Sequence, residues 1–392
     1  MENVNFHIPV DLMFGCGQLN NLHTKNIPGK KALVVISRGK STRANGYLAR
    51  TEEQLHLAGL ETAVFDGISA NPLREEVMAG SAVARKENCD IIVALGGGSV
   101  MDSGKLIAIM ATNPGDLWDY YCGGTGGNKE VENKPLPVIC ITTTAGTGSE
   151  MDNCGIVTNT ETLEKIGIGN TDDNFPIISI VDPELMTSVP PAFTAFQGLD
   201  ALFHATECYI STHANPMSEM FALTAIENIG KYLAKAVKDG NDIEAREHVS
   251  FASNLSGFVM VMGGPCIGKH ALECAMSAYH PQLSHGAGLV LIAEEYYKFY
   301  IEKHVCDDRF IKMAKALGKQ DSTNPYDFID MLLDLEEKCG VAGIKMSDYG
   351  FNPEEFLPMT RNAKETMAGL FMGDRYQLSD DDCVEIFKRS FR

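Results

Sequence analysis

From Lys31 onward the apolar positions come in short unbroken runs, not in strict alternation. Lys31–Ser37 (K-A-L-V-V-I-S) follows a Pro-Gly turn, and residues 46–58 then carry a helical pattern. Thr62–Phe65 is a second strand closed by Asp66-Gly67, with a helical stretch from Pro72 to Glu87 after it. Asp90–Leu95 runs into Gly96-Gly97-Gly98-Ser99 and a helix to Met110; Pro137–Thr142 and Ile177–Val181 complete the strands. Fully apolar strands alternating with helices predict a parallel sheet covered on both faces. The pattern changes at Val189-Pro190-Pro191, beyond which long helical stretches dominate to Arg392. The expected division is therefore 1–188, an α/β domain, and 189–392, an all-helical domain. The last helix is marked by Ser379 as N-cap, Asp380–Asp382 at its positive end and Lys388-Arg389 at its negative end. The chain shows no internal repeat and no low-complexity tract.

Composition narrows the partners. The net charge of -19 argues against a nucleic-acid backbone or an anionic membrane surface. Eleven scattered cysteines form no C-x-x-C pair, which excludes a zinc ribbon and reads as reduced thiols. The first fifteen residues have neither a basic nor an apolar signal region, and no apolar run approaches the roughly 18 residues a membrane span needs. The expected location is the cytoplasm.

Three loops carry candidate cofactor chemistry. Gly96–Ser99 lies between an apolar strand and a helix, where glycines let the backbone approach a phosphate and the helix N-terminus offers free N–H groups. It matches neither G-x-G-x-x-G nor a Walker loop, so a plain βα turn is the alternative. Asp102, in the first helical turn, has the bland reading of an acid favoured by the helix dipole. Thr142-Thr-Thr-Ala-Gly-Thr-Gly-Ser-Glu150 places Thr143, Thr144 and Thr147 where open α/β sheets bind ligands. After the first strand, Ser37-Arg38-Gly39-Lys40-Ser41 offers no acid to a ribose; it suits a 2′-phosphate, pointing to NADP with NAD as the alternative. Residues 122–127, C-G-G-T-G-G, read as a flexible surface loop.

Candidate metal ligands lie further on. Asp200 and His204 are four apart and share a helix face. His270 and His285 are two later candidates, and a carboxylate with three imidazoles suits iron(II) or zinc.

Several motifs together resemble the iron-containing (group III) alcohol dehydrogenase family. They are F-G-x-G at 14–17, F-D-G-x-x-x-N-P at 65–72, G-G-G-S-V-M-D-S-G-K at 96–105, T-T-T-A-G-T-G-S-E at 142–150, D-P-E-L at 182–185, G-x-D-A-x-x-H-A-x-E at 198–207 and H-G-A-G-L at 285–289. The resemblance implies a dinucleotide-binding α/β domain, a helical metal-binding domain on the plan shared with dehydroquinate synthase, and a metal in the cleft between them. It implies Asp200, His204, His270 and His285 as the ligands. It assigns Gly97, Gly98, Ser99, Asp102, Thr143, Thr147, Lys165 and Leu185 to the cofactor site, and a homodimer or larger homo-oligomer as the assembly. Relatives of the butanol or propanediol dehydrogenase kind make a short aldehyde or alcohol the expected substrate, interconverted by hydride transfer with a metal polarising the substrate oxygen. Where relatives carry a second histidine four residues after the third ligand, this chain has Cys274; Cys274 and His280 are the candidates for its proton-relay role, with a satisfied structural histidine the preferred reading of His280. Four protein ligands plus a substrate fit iron(II) better than tetrahedral zinc. Lys269, beside His270, leaves room for an acidic group on the substrate. The rival readings are a glycerol dehydrogenase- or dehydroquinate synthase-like enzyme and a catalytically silent nucleotide-binding protein.

Overall fold

The computed structural model describes residues 4–169 and 171–392. Its strands are β1 (Asp11–Phe14), β2 (Lys31–Ser37), β3 (Glu61–Ile68), β4 (Ile91–Gly96), β5 (Val138–Thr142), β6 (Cys154–Asn159), β7 (Glu164–Gly169) and β8 (Ile178–Val181). One six-stranded sheet has the order β1-β8-β5-β4-β2-β3, and every pair in it is parallel. Helices α1 (Ser41–Ala44) and α2 (Tyr47–Leu57) follow β2, α3 (Arg74–Lys86) follows β3, and α4 (Gly98–Thr112) follows β4.

The unbroken apolar runs are explained by burial on both sides. Leu33, Val35, Ile92, Ala94, Val138 and Cys140 pack into one core with residues of α3 and α4. Their neighbours Val34, Ile36, Ile91, Val93, Ile139 and Ile141 pack into another with Leu48 and Leu55 of α2. Successive side chains point to opposite faces, so a strand with no polar face is covered twice. Chain order reverses between β2 and β4, which makes the crevice beyond their carboxyl ends the topological switch point. The Arg38 loop and the glycine loop both leave from there.

The rest is helical: α5 (Pro191–Ile210), α6 (Pro216–Lys238), α7 (Ile243–Met262), α8 (Gly268–Tyr279), α9 (His285–Glu302), α10 (Asp307–Ala316), α11 (Tyr326–Lys338), α12 (Phe356–Thr366), α13 (Ala368–Phe371) and α14 (Asp380–Ser390). Pro191 opens α5 at the position where its missing N–H costs nothing. Ser379 caps α14 as expected, its Oγ accepting from Asp382 N at 3.2 Å. No helix among the described residues is long and apolar enough to cross a membrane.

Two features depart from the expected pattern. β1 is four residues long and pairs only with β8, too short to leave a periodic signal. The antiparallel hairpin β6–β7 reads C-G-I-V-T-N and E-K-I-G-I-G, where interspersed glycines and polar residues mimic a loop. Its glycines let it lie on α4: a Cβ on Gly155 would meet Asp102 O and Leu106 Cγ, each at 2.7 Å. The loop 122–127 also needs correcting, because it is anchored. Trp118 Nε1 donates to Thr125 Oγ1 at 3.0 Å, Thr125 N to Glu164 Oε1 at 2.8 Å, and Gly124 N to Glu365 O at 3.3 Å.

Candidate metal centre and nucleotide cleft

A cavity of 780 Å³ opens between the sheet's carboxyl edge and the helical half. From the sheet side it is lined by Asn71, Ser99, Asp102, Thr147 and Lys165; from the helical side by His204, Cys266, His270, Cys274 and His285.

Helix α5 presents Asp200, His204 and Glu207 along one face, as spacings of four and three require. α8 contributes His270 from its first turn, and His285 is the first residue of α9. Asp200 Oδ1 is the hub: His204 Nδ1 lies 3.4 Å from it, His285 Nε2 3.5 Å and His270 Nε2 3.6 Å. Asp200 Oδ1, His204 Nδ1 and His270 Nε2 are buried and have no hydrogen-bond partner. Buried polar atoms are almost always paired, so three orphans facing one another fit a divalent cation.

Behind these candidate ligands stand two glutamates that sequence reasoning missed. His270 Nδ1 meets Glu207 Oε1 at 2.7 Å, and His285 Nδ1 contacts Glu273 Oε2. Each carboxylate fixes the proton on the outer ring nitrogen and leaves the inner lone pair for a metal. Both are themselves countered: Lys269 Nζ lies 3.0 Å from Glu207 Oε1, and Lys165 Nζ 3.7 Å from Glu273 Oε2. Burial pulls His204 down to about 4, with Asp200 only partly opposing it. Burial also works against charge on His270, but Glu207 and Asp200 outweigh it and lift that ring to about 9. Burial opposes charge on Asp200 too, yet the surrounding imidazoles hold its carboxyl well below the usual range.

Lys269 is the clear correction. It is fully buried, paired to Glu207 and placed 3.5 Å over the Phe203 ring, so it offers nothing to an acidic substrate. His280 takes the structural place preferred for it, and its candidacy as a proton relay falls. Its Nε2 meets Glu355 Oε2 at 3.1 Å and its ring packs on Phe351, outside the cavity lining. Cys274 does line the cavity, but burial pushes its thiol up to about 12, far from the range of a working acid or base at neutral pH.

On the sheet side the glycine and threonine loops interlock. A Cβ on Gly97 would meet Thr144 Oγ1 at 2.9 Å, and one on Gly98 would meet Thr147 Cγ2 at 2.5 Å. Thr143 N donates to Gly96 O at 2.9 Å. Asp102 accepts from Ser149 Oγ at 2.5 Å and Ile156 N at 3.2 Å, and burial raises it to about 6 despite Lys105 nearby. Asp102 therefore ties three segments together and is more than a helix-end acid. Lys165 Nζ reaches across to Ser277 Oγ at 2.8 Å. Leu185 is corrected as well: it is fully buried in the core beneath the sheet and does not line the cleft. Arg38, Gly39, Lys40 and Arg43 line a separate small cavity, and Ser41 opens α1 beside it. Asp66, from β3, lies in that cavity and pairs with Arg43 Nη2 at 2.9 Å. Asn71 also escaped sequence reasoning; its Nδ2 donates to Pro281 O at 2.9 Å and Leu283 O at 3.2 Å across the cleft.

Comparison with known proteins gives the family. The family model described as iron-containing alcohol dehydrogenase matches residues 9–183, and that of the C-terminal part of the Fe-containing alcohol dehydrogenase family matches residues 194–391. A 1,3-propanediol dehydrogenase of Citrobacter freundii is 33% identical over 94% of this chain and 93% of its own length. An archaeal halo-thermophilic alcohol dehydrogenase from a Red Sea brine pool superposes with a TM-score of 0.93 at 32% identity, covering 100% of both chains. A sulfoacetaldehyde reductase of Bifidobacterium kashiwanohense, solved with NAD+, gives 0.83 at 29% identity over 99% of both chains.

Proposed function

Since this chain belongs to the iron-containing alcohol dehydrogenase family, we propose that its cleft interconverts a short primary alcohol and its aldehyde, with Asp200, His204, His270 and His285 as metal ligands. The activity class, a metal-dependent, nicotinamide-linked oxidoreductase acting on CH–OH, comes with the family. The observation that carries the ligand reading is the trio of buried, unpartnered donors Asp200 Oδ1, His204 Nδ1 and His270 Nε2.

A bound iron(II) or zinc ion supplies Lewis acidity toward the substrate oxygen, and the nicotinamide supplies hydride chemistry. The side chains do the rest. Glu207 and Glu273 keep the outer protons on His270 and His285, so the inner nitrogens stay available. Gly97 and Gly98 allow close backbone approach at the N-terminus of α4, the expected seat of a pyrophosphate. Tyr121, Met260, Val261, Pro265 and Leu370 line the cavity with apolar surface and exclude water from the reacting atoms.

Iron(II) over zinc is favoured because four protein donors and a substrate exceed a tetrahedral shell. NADP over NAD is favoured because Arg38, Lys40 and Arg43 surround the small cavity against one acid, Asp66. An uncharged substrate is favoured over a polyanion, as a lyase would need: Lys165 is the one lysine or arginine among the described residues lining the main cavity. We assign residues 1–188 to the nucleotide and 189–392 to the metal. A homo-oligomer, dimer or larger, in the cytoplasm is the proposed setting; all eleven cysteines are free thiols, in keeping with it.

The test is reduction of short aldehydes, with and without a carboxylate or sulfonate, followed with NADPH and NADH. Faster turnover of the uncharged aldehydes with NADPH is expected. His204→Ala should lower turnover at least about 100-fold while nucleotide binding persists; near-normal activity in that variant after chelation sinks the ligand assignment.

A further inference from the structure

A cysteine that carries no motif stands inside the metal centre. Cys266 Sγ and one ring nitrogen each of His204 and His270 lie within 4.8 Å of one another. A second trio, Asp200, His270 and His285, meets the same limit, and the two share His270. All of the first trio are buried, and His204 Nδ1 and His270 Nε2 have no partner. One trio offers oxygen and nitrogen; the other replaces the carboxylate with sulfur. Thiolate selects softer cations, and among the metals considered it favours zinc over iron(II).

We propose that Cys266 is a thiolate ligand of this centre and that, with His204 and His270, it forms a soft position that lets the centre hold zinc as well as iron(II). This rests on the reading of His204 and His270 as ligands and adds a donor to it.

The backbone around Cys266 is fixed on both sides. Cys208 Sγ donates to Gly264 O at 3.5 Å, and Ile267 N donates to Glu207 Oε2 at 3.1 Å. Glu207 thus positions both His270 and the segment that bears the thiol. Burial and the neighbouring Cys208 hold the Cys266 thiol well above its usual range, so only a bound cation draws off its proton. As the metal binds, the S–H proton leaves to solvent and the sulfur lone pair forms the bond. Simple cavity lining would be served as well by alanine and gives no reason for a sulfur beside two unpartnered nitrogens.

Cobalt(II) is the probe, because a cobalt–thiolate bond adds an intense near-ultraviolet charge-transfer band that nitrogen and oxygen ligands do not. Cobalt-loaded protein is expected to show the band, Cys266→Ser to lose it while retaining cobalt, and Cys274→Ser to keep it. Zinc affinity, read by chelator competition, should fall at least about tenfold in Cys266→Ser, with iron(II) affinity changed much less. Cys266→Ala is run beside the serine variant, so that retained cobalt in either one separates ligand loss from misfolding. Stoichiometric cobalt without the band, or a band that survives Cys266→Ser, overturns the thiolate ligand and leaves the other four donors standing. Wild-type protein that takes up no cobalt overturns both readings.

Discussion

At the scale of single residues, legibility depended on spacing. Asp200 and His204 declared themselves because four residues return to the same helix face. His270 and His285 come from two further helices, and only the motif resemblance joined them to the pair. Glu207 sits three residues after His204 and was readable by the same rule, yet an acid on a helix is usually a solvated one. Lys269 misled for the opposite reason: adjacency to His270 in sequence said nothing about where its ammonium ends, which is against Glu207. The two glutamates give a direct prediction. Glu207→Gln and Glu273→Gln should each weaken metal binding about 10- to 100-fold, measured by chelator competition, because a neutral amide oxygen accepts the imidazole proton more weakly than a carboxylate and lacks its charge. Unchanged affinity in both would show that the imidazole tautomers need no such partner.

At the scale of elements, five of the six strands of the sheet were legible, and β1 and the hairpin β6–β7 were not. Apolar runs buried on two faces leave a strong signal, whereas a hairpin that lies on α4 through its glycines leaves almost none. That hairpin brings Lys165 and Cys154 to the cavity, so the hidden element also lines the candidate site. The α4 entry is the most crowded junction. Gly98→Ala drives a Cβ into Thr147, so the KM for nucleotide should rise about tenfold or more while metal content is unchanged, since a displaced loop spoils phosphate approach. Helix α11 supplies a pH prediction. Burial, reinforced by Glu294, raises Glu336 from 4.5 to about 8, and its Oε1 has no partner. The unfolded chain loses this proton near its ordinary value and the folded chain holds it until about 8. The folded state therefore binds more protons in between, and stability falls as pH rises through that window. Glu336→Gln should flatten the decline and raise the melting temperature above pH 8 by roughly several degrees. A wild-type melting temperature that climbs from pH 5 to pH 8, with no difference in the variant, would contradict this.

At the scale of the whole molecule, the metal centre draws on α5, α8 and α9, so its occupancy should be felt as stability. Metal at about 100 times its dissociation constant adds about 2.7 kcal/mol to the folded state. In a unit of roughly 200 residues this amounts to about 5 °C or more, lost on chelation and regained on reloading, by calorimetry. Equal melting curves with and without metal would place the cation elsewhere. The two halves are joined by small residues as well as by the site. A Cβ on Gly148 (φ 64) would sit 2.6 Å from the backbone nitrogen of Gly257 in α7, so the threonine loop rests directly on a helix backbone. No periodic pattern announces such a contact, which is why the sequence showed two halves and not how they close. Asn71 then acquires a kinetic meaning. A parting of the walls at this point would pull its amide from the carbonyls of Pro281 and Leu283. Two hydrogen bonds of about 1 kcal/mol each correspond to a delay of up to tens of fold. Were product to leave by that opening, a single amide would act as a timer on its departure, setting how long a finished turnover stays in place before the next can begin.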